Sequence, residues 1–400
     1  MAVETLEVVQ AKIRAAVPAA RTGMVALRDA RGLVLAAEIV AGEPVPPFAN
    51  TAMDGYAVRS ADTATAPVRL RVVADLAAGY EAAVDVGPGE AIRIMTGAPM
   101  PHGADAIVMV ERTERDGDDG VLIQVAAVAG DHVRGVGGDV GDGDVVFTPG
   151  VVLGPAHLGV LASLGFAEVP VYRRVRVGVI STGDELREGP VELAPGQIRD
   201  SNRPMLLALV AEAGAEAVDL GIGRDDEAAV TTMFRDAAAS CDAIITSGGV
   251  SVGDYDVVKA VLGQLGALEW WQVAIKPAKP LAFGLIDGTP IFGLPGNPVS
   301  SHVSFELFAR PALRQMMGHS APDRAVVQAI AGAAMPRKVD GKLYLDRVRV
   351  HYEDGGYVAV RSGAQASNVL SGMAAANGLA RVPDGPGIAA GEPVDVMLLT

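Results

Sequence analysis

The apolar positions of this chain change rhythm along its length, and each change predicts a different kind of element. Leu6 to Val17 repeats at helical spacing, and Gly32 to Val40 reads as a strand. From Val68 to Val128 the apolar runs shorten into VRLRVVADL, EAIRIMTGA, DAIVMVERT and VLIQVAAV, separated by Gly, Pro and Asp turns. That pattern predicts a small, mostly β domain. A glycine-rich acidic stretch, His132 to Gly143, precedes a return of apolar spacing over Val145 to Gly165, so the flanks of the β stretch read as one discontinuous domain. From Arg176 onward strand, turn and helix alternate: VRVGVIS, RPMLLALVAEAG, EAVDLGI, DEAAVTTMFRDAAAS, DAIITSGG, DYDVVKAVLGQL, PLAFGLI, TPIFGL and PVSSHVSFELFARPAL. Such repetition implies an α/β fold with a doubly wound, mostly parallel sheet, whose ligands bind beyond the carboxyl ends of the strands. The tail carries the strand pair KLYLDRVRV and YVAVRS, a short helix near 370 to 377 and a last strand from Pro393 to Leu399, a small β-rich terminal domain.

Composition narrows the function classes. Four hundred residues exceed one ordinary core, and 48 glycines with 25 prolines describe a folded, turn-rich protein. Thirty-three basic against 48 acidic side chains leave a net charge of −15, which argues against a nucleic-acid surface or an anionic membrane. The single Cys241 excludes an internal disulfide and a multi-cysteine metal site, and fits a reducing compartment. No apolar run of about 18 residues is free of Gly, Pro or charge, and no signal pattern stands at the N-terminus, so a cytoplasmic location is expected.

Candidate chemistry gathers where predicted strands end. In AIITSGGVSVGDYD, Ala243 to Thr246 reads as a buried strand, Ser247-Gly248-Gly249 breaks it, and a helix follows from Tyr255 to Leu265. Glycines before a helix start expose backbone N–H groups and a partial positive charge, a candidate phosphate cradle worth roughly 0.3–1 kcal/mol to an anion. Asp254 and Asp256 stand beside it. A carboxylate about 4 Å from a bound anion costs on the order of 4 kcal/mol at an effective dielectric near 20, so a divalent cation is the natural companion. A purely structural Gly-Gly turn is the other reading. Two more strand ends carry polar loops, Ser181-Thr182-Gly183-Asp184-Glu185 and Pro295-Gly296-Asn297-Pro298. In the second, Asn297 suits an N-cap and Pro298 a first helical residue, so a second anion-receptive helix start is expected, with a simple cap as the alternative. WQVAIKPAKP sets Lys276 and Lys279 in a proline-stiffened segment, as a solvated face or as an anion site. In PVPPFANTAMDGYAV, Asp54 before Gly55 is either catalytic or part of a tight turn, and Thr96 in RIMTGAP is either an anion-binding hydroxyl or a turn residue. No Walker lysine motif, zinc spacing or Ser-His-Asp pattern is present.

Taken together, PFANTAMDGYAV, RIMTGAP, STGDEL, GIGRDD, SGGVSVGDYD, IKPAKP and GLPGNPVS closely resemble the molybdopterin molybdenumtransferase family, the MoeA-like proteins to which the C-terminal region of gephyrin also belongs. The motifs run in the family's order over essentially the whole chain. The resemblance implies four domains: a discontinuous N-terminal and dimerisation domain (1–44 and 140–172), an inserted β-rich domain (45–139), a MogA-like α/β molybdopterin-binding domain (173–320) and a C-terminal β-rich domain (321–400). It implies a homodimer with the active site across the interface, a MogA-like adenylyltransferase as partner, and insertion of molybdenum from molybdate into adenylyl-molybdopterin, with release of AMP and dependence on Mg2+. Matching catalytic positions are Asp54, Thr96, Glu185, Asp225, Lys276 and Arg347. Substrate positions are Ser247, Gly248, Gly249, Ser251, Gly253, Lys279, Pro295, Gly296, Asn297, Pro298 and Ser367, and Glu185, Asp225, Asp256 and Asp139 are the metal ligands. Where some members carry a basic residue before the KPxK lysines this chain has Gln272, leaving Lys279 or Arg347 to take over any contact made there. Two other readings stay open: adenylylation of molybdopterin on the shared sheet domain, and a non-catalytic scaffold like gephyrin.

Overall fold

A computed structural model describes residues 3–224, 226–248 and 257–399. The chain divides into two compact units, one of residues 1–24, 32–36 and 170–400 and one of residues 25–31 and 37–169.

The larger unit is built on a seven-stranded sheet in the order Val3–Glu4, Ala267–Val273, Pro280–Ile286, Thr289–Leu294, Ala243–Ser247, Arg176–Thr182 and Glu216–Gly223. Six strands run one way and Pro280–Ile286 runs against them. Alternation along each strand explains why both faces are covered. Val177, Val179, Ile245 and Phe292 join one apolar core with the helices Leu6–Ala16 and Asn202–Glu212. Ile180, Ile244 and Ile291 join a second with the helix Glu227–Ser240. A central strand buried on both faces favours an apolar run, and Ala243–Ser247 supplies three apolar residues followed by Thr246 and Ser247, all five buried. The doubly wound, mostly parallel sheet expected from the sequence is therefore present.

The expected last helix of this region is interrupted. Pro298–Ser304 is α-helical, Phe305–Ala309 is a π-helix, and Arg310–Met316 is α-helical again. Pro311 has no N–H and its ring opposes the carbonyl four residues back, so a widened turn just before it lets the helix pass. A six-stranded sheet follows in the order Ile275–Lys276, Leu343–Glu353, Gly356–Arg361, Val326–Ala331, Pro393–Leu398 and Gly378–Val382, with the short helix Leu370–Ala374.

The smaller unit holds a six-stranded sheet in the order Ala106–Met109, Gly55–Val58, Glu90–Ile94, Val68–Leu76, Gly120–Ile123 and Thr113–Asp116. Its alternating residues form two apolar clusters, one around Tyr56, Leu70 and Val121 and one around Ala57, Ile92 and Ile107. The strand expected over Gly32 to Val40 is corrected. Ile39–Val40 forms a ladder, while Leu33, Val34 and Leu35 are buried as loop, with a single bridge from Leu35 to Val171. Burial alone satisfies apolar side chains, so an apolar run does not by itself require a ladder.

Candidate active site

Three strand ends lie side by side in the larger unit. Ser181 pairs in register with Ser247, and Ser247 with Leu294, so the three polar loops begin at one level of the sheet. The turn at Ser247-Gly248 is tied to both neighbours: the Gly248 N–H donates to the Leu294 carbonyl at 3.2 Å, and the Thr182 hydroxyl donates to the Ser247 carbonyl at 3.5 Å. Gly248 has φ +98, and a Cβ there would come within 2.7 Å of the Thr182 carbonyl oxygen, so only glycine fits. Gly296 approaches so closely that its own Cβ would touch the Gly248 Cα at 3.9 Å. Asn202 clamps the two turns: its Nδ2 donates to the Ser247 hydroxyl and to the Gly296 carbonyl, each at 2.7 Å. Its neighbour Arg203 is buried and paired with Asp200, Asp219 and Glu188, which anchors the start of that helix.

Glu185 is exposed beside these turns, and its carboxylate makes no hydrogen bond or ion pair among the described residues. Asp225, Gly249, Ser251, Gly253 and Asp256 lie outside the described residues. Among the described residues no three His, Cys, Asp or Glu side chains are grouped to hold a metal ion. The helix start expected at Asn297 is present, with one of its donors occupied. Asn297 occupies the N-cap position and Pro298 the first helical position, but the Asn297 side chain makes no cap bond, and the next free N–H, on Val299, donates to the Ser367 carbonyl at 3.2 Å. Packing of the 367 loop against the helix occupies this donor.

A second cluster lies in a cavity of about 640 Å³ lined by Lys276, Lys279, Lys342, Ser300, Ser367 and Asn368, among others. Lys276 stands where Ile275–Lys276 pairs with Leu343–Tyr344, directly opposite Tyr344. Its ammonium lies 4.6 Å from the Tyr344 ring centroid and 3.5 Å from the hydroxyl. Lys279 is exposed and makes no ion pair among the described residues. The cis bond between Lys276 and Pro277 and a left-handed Ala278, φ 75, turn the segment between the two lysines. Gln272 sits in the strand ladder opposite Pro280.

Arg347, expected as a donor to an oxyanion, is wholly buried. Its Nη2 donates to the carbonyls of Ala364 and Ala366 at 2.6 and 3.1 Å, and its backbone is bracketed by the Gln365 side chain at 2.8 and 3.1 Å. Nε and Nη1 have no hydrogen-bond partner among the described residues. Burial pushes this guanidinium below its usual value, partly offset by Asp346. Arg347 therefore holds the 364–366 loop that lines the cavity, behind the cavity wall.

In the smaller unit Asp54 and Thr96 meet. The Thr96 hydroxyl and backbone N–H both donate to Asp54 Oδ1, each at 2.7 Å, and hold the carboxyl below its usual range. Asp54 is thus an ionised acceptor at neutral pH. The tight-turn reading of the Asp-Gly pair gives way to another reason for Gly55: any Cβ there would collide with the Val108 carbonyl of the neighbouring strand. Asp139 is exposed in a loop, with its N–H on the Val45 carbonyl, and no hydrogen bond links it to Asp54 or Thr96.

Comparison with known proteins bears on the whole chain. Residues 4–165 match the MoeA N-terminal region (domain I and II), 178–315 a probable molybdopterin binding domain, and 329–399 the MoeA C-terminal region (domain IV). Molybdopterin molybdenumtransferase 2 of Mycobacterium tuberculosis (strain H37Rv) is 44% identical over 395 residues, 96% of each chain. The chain belongs to the MoeA family. Molybdopterin molybdenumtransferase of Haemophilus influenzae is 38% identical over 352 residues, covering 88% of this chain and 87% of that one. A crystal structure of a molybdopterin biosynthesis MoeA protein from Pyrococcus horikosii superposes with a TM-score of 0.81 at 31% identity, covering 100% of both chains. Of the residues expected from the sequence, Glu185, Ser247 and Gly248 stand at the strand-end turns and Lys276, Lys279 and Ser367 line the cavity; Asn202, Lys342, Ser300 and Tyr344, which the sequence did not single out, stand among them. Ser300 falls within the GLPGNPVS motif, whereas nothing local marks Asn202, Lys342 or Tyr344.

Proposed function

We propose that this chain is a molybdopterin molybdenumtransferase of molybdenum cofactor biosynthesis, converting adenylyl-molybdopterin and molybdate to Mo-molybdopterin and AMP. The observation that carries the reading is the cavity where Lys276, Lys279 and Lys342 converge with the hydroxyls of Ser300 and Ser367. Several cations and hydroxyl donors around one space suit a tetrahedral dianion, because charge-assisted hydrogen bonds are roughly twice as strong as neutral ones. The names of full-length relatives support it.

In this reading the adjoining turns at Thr182, Ser247 and Gly296 receive the pterin and its phosphoanhydride, and Asn202 sets their spacing. Arg347 is a positioning residue that fixes the 364–366 loop. Asp54, ionised and oriented by Thr96, aligns an oxygen nucleophile for the anhydride step. The open Glu185 carboxylate is a hard oxygen donor of the kind Mg2+ takes, so it fits as one ligand, and the family resemblance implies Asp225 and Asp256, outside the described residues, as others. The ion would neutralise phosphate oxygens and polarise the P–O bond. A cytoplasmic homodimer receiving its substrate from a MogA-like adenylyltransferase completes the proposal.

The deciding experiment measures AMP release from adenylyl-molybdopterin by the purified protein with Mg2+, with and without molybdate. Molybdate-dependent release is expected. No release, with ATP consumed on metal-free molybdopterin instead, would move the assignment to the adenylylation step. Sedimentation of the purified chain tests the homodimer.

A further inference from the structure

The three lysines of the cavity are not held alike. Lys279 makes no ion pair among the described residues. Lys342 donates to Asp340 Oδ2 at 2.8 Å, and the same carboxylate oxygen accepts from the Tyr344 hydroxyl at 3.2 Å. Tyr344 is buried, with the Lys276 ammonium 4.6 Å and the Arg337 guanidinium 4.3 Å from its ring centroid. Arg337 has a fully buried side chain and is itself fixed by Asp340, Asp384 and the carbonyls of Lys338, Lys342 and Val382. Arg337, Tyr344 and the exposed Asp340 thus form one connected group beside two lysines that both line the cavity.

Two long, flexible cations normally lose rotamer freedom when they converge on an anion. Here that freedom is restricted in advance. Lys276 is confined by the aromatic face and its cross-strand register, and Lys342 by Asp340. An exposed ion pair between Lys342 and Asp340 would contribute little by itself, which leaves the placement of the ammonium as its main consequence. The Lys342 side chain keeps 27% of its exposure, so part of the ammonium environment is open.

We infer that Lys342 is a third anion-binding cation of this cavity and that Tyr344 is the positioning residue that fixes Lys276 and, through Asp340, Lys342. The inference rests on the oxyanion reading of the cavity given above. It specifies the ligand as a tetrahedral dianion met by two preset ammonium groups and a third, Lys279, that closes on it.

The test is equilibrium dialysis of the full chain against molybdate alone, alongside the KM for molybdate and kcat of AMP release, for wild type, Lys342→Met, Lys342→Arg and Tyr344→Phe. Loss of one charge-assisted contact should weaken molybdate binding and raise its KM about tenfold or more in Lys342→Met, with AMP binding unchanged and with recovery to within about threefold in Lys342→Arg. Tyr344→Phe keeps the ring and loses the hydroxyl, and should raise the molybdate KM about threefold with kcat held, a split that a general loss of structure would not produce. Wild-type affinity in Lys342→Met, or an unchanged KM in Tyr344→Phe, overturns the inference and leaves the proposed function standing. If the wild-type protein binds no molybdate, the cavity reading falls as well, and the inference with it.

Discussion

Asn202→Asp is the sharpest perturbation of the glycine turns, because it changes one atom and almost no volume. In the wild-type protein Nδ2 donates two hydrogen bonds of 2.7 Å, one to the Ser247 hydroxyl and one to the Gly296 carbonyl. An aspartate oxygen at that point still accepts from the serine hydroxyl but faces the Gly296 carbonyl acceptor to acceptor. One bond is lost outright, and the carboxylate is placed where the existing Oδ1 is already buried without a partner among the described residues. A net hydrogen bond contributes about 0.5–1.5 kcal/mol, and an unsatisfied buried acceptor costs about 1–3 kcal/mol, so the turns lose on the order of 1.5–4 kcal/mol of preference for this geometry. If the Ser247 and Gly296 turns form the substrate site, the effect falls on the transition state as well. At 1.36 kcal/mol per decade, kcat/KM for adenylyl-molybdopterin should drop by roughly 10- to 1,000-fold. The assay is AMP release under subsaturating substrate, with molybdate affinity measured separately by dialysis. The lysine cavity does not contain Asn202, so molybdate binding should hold. An Asn202→Asp enzyme with kcat/KM within about twofold of wild type, at a pH where the new carboxyl is ionised, would refute the clamp.

Asp54→Asn should lower AMP release by about 100-fold or more while thermal unfolding is little changed, since the side chain is exposed and Thr96 can still donate to the amide oxygen. Retained activity would remove Asp54 from the reaction. Glu306→Gln should destabilise the larger unit by about 3 kcal/mol in denaturant unfolding, because the nearly buried Glu306 carboxylate faces both Arg324 and Arg310 and only Arg324 keeps a second carboxylate, Glu212. A change below about 1 kcal/mol would show that water already solvates the pair. Burial pushes His302 down to about 4, and burial beside Arg314 and Arg310 pushes His319 to about 4. The unfolded chain then binds more protons than the folded one between the ordinary histidine value of 6.5 and about 4, so stability is full above that window and falls as pH drops through it. His302→Leu should flatten part of this acid slope in unfolding experiments; an unaltered slope would assign the effect elsewhere.

The sequence by itself determined the element types and the points where chemistry gathers. Ala243–Ser247 was legible as a buried strand from its apolar Ala243, Ile244 and Ile245, and Gly248 after it permits a close approach. Seven motifs in order identified the family, and several of their residues stand in the two clusters described. Periodicity states that a side chain faces inward but not what it will meet there, because the partner strand and its register are set by the packing of the whole sheet. Lys276 and Tyr344 are 68 residues apart, and only strand pairing sets one over the other. Arg347 looked like a free donor and is instead wholly buried behind the loop it supports. Asn297 had the chemistry of a cap, yet the neighbouring donor went to the Ser367 carbonyl, a partner that only the tertiary structure supplies. Asn202 carries no local signature at all: it acquires its role from groups brought within 3 Å by the fold, while Lys342 meets the nearby Asp340 and reaches the cavity only through the packing around it.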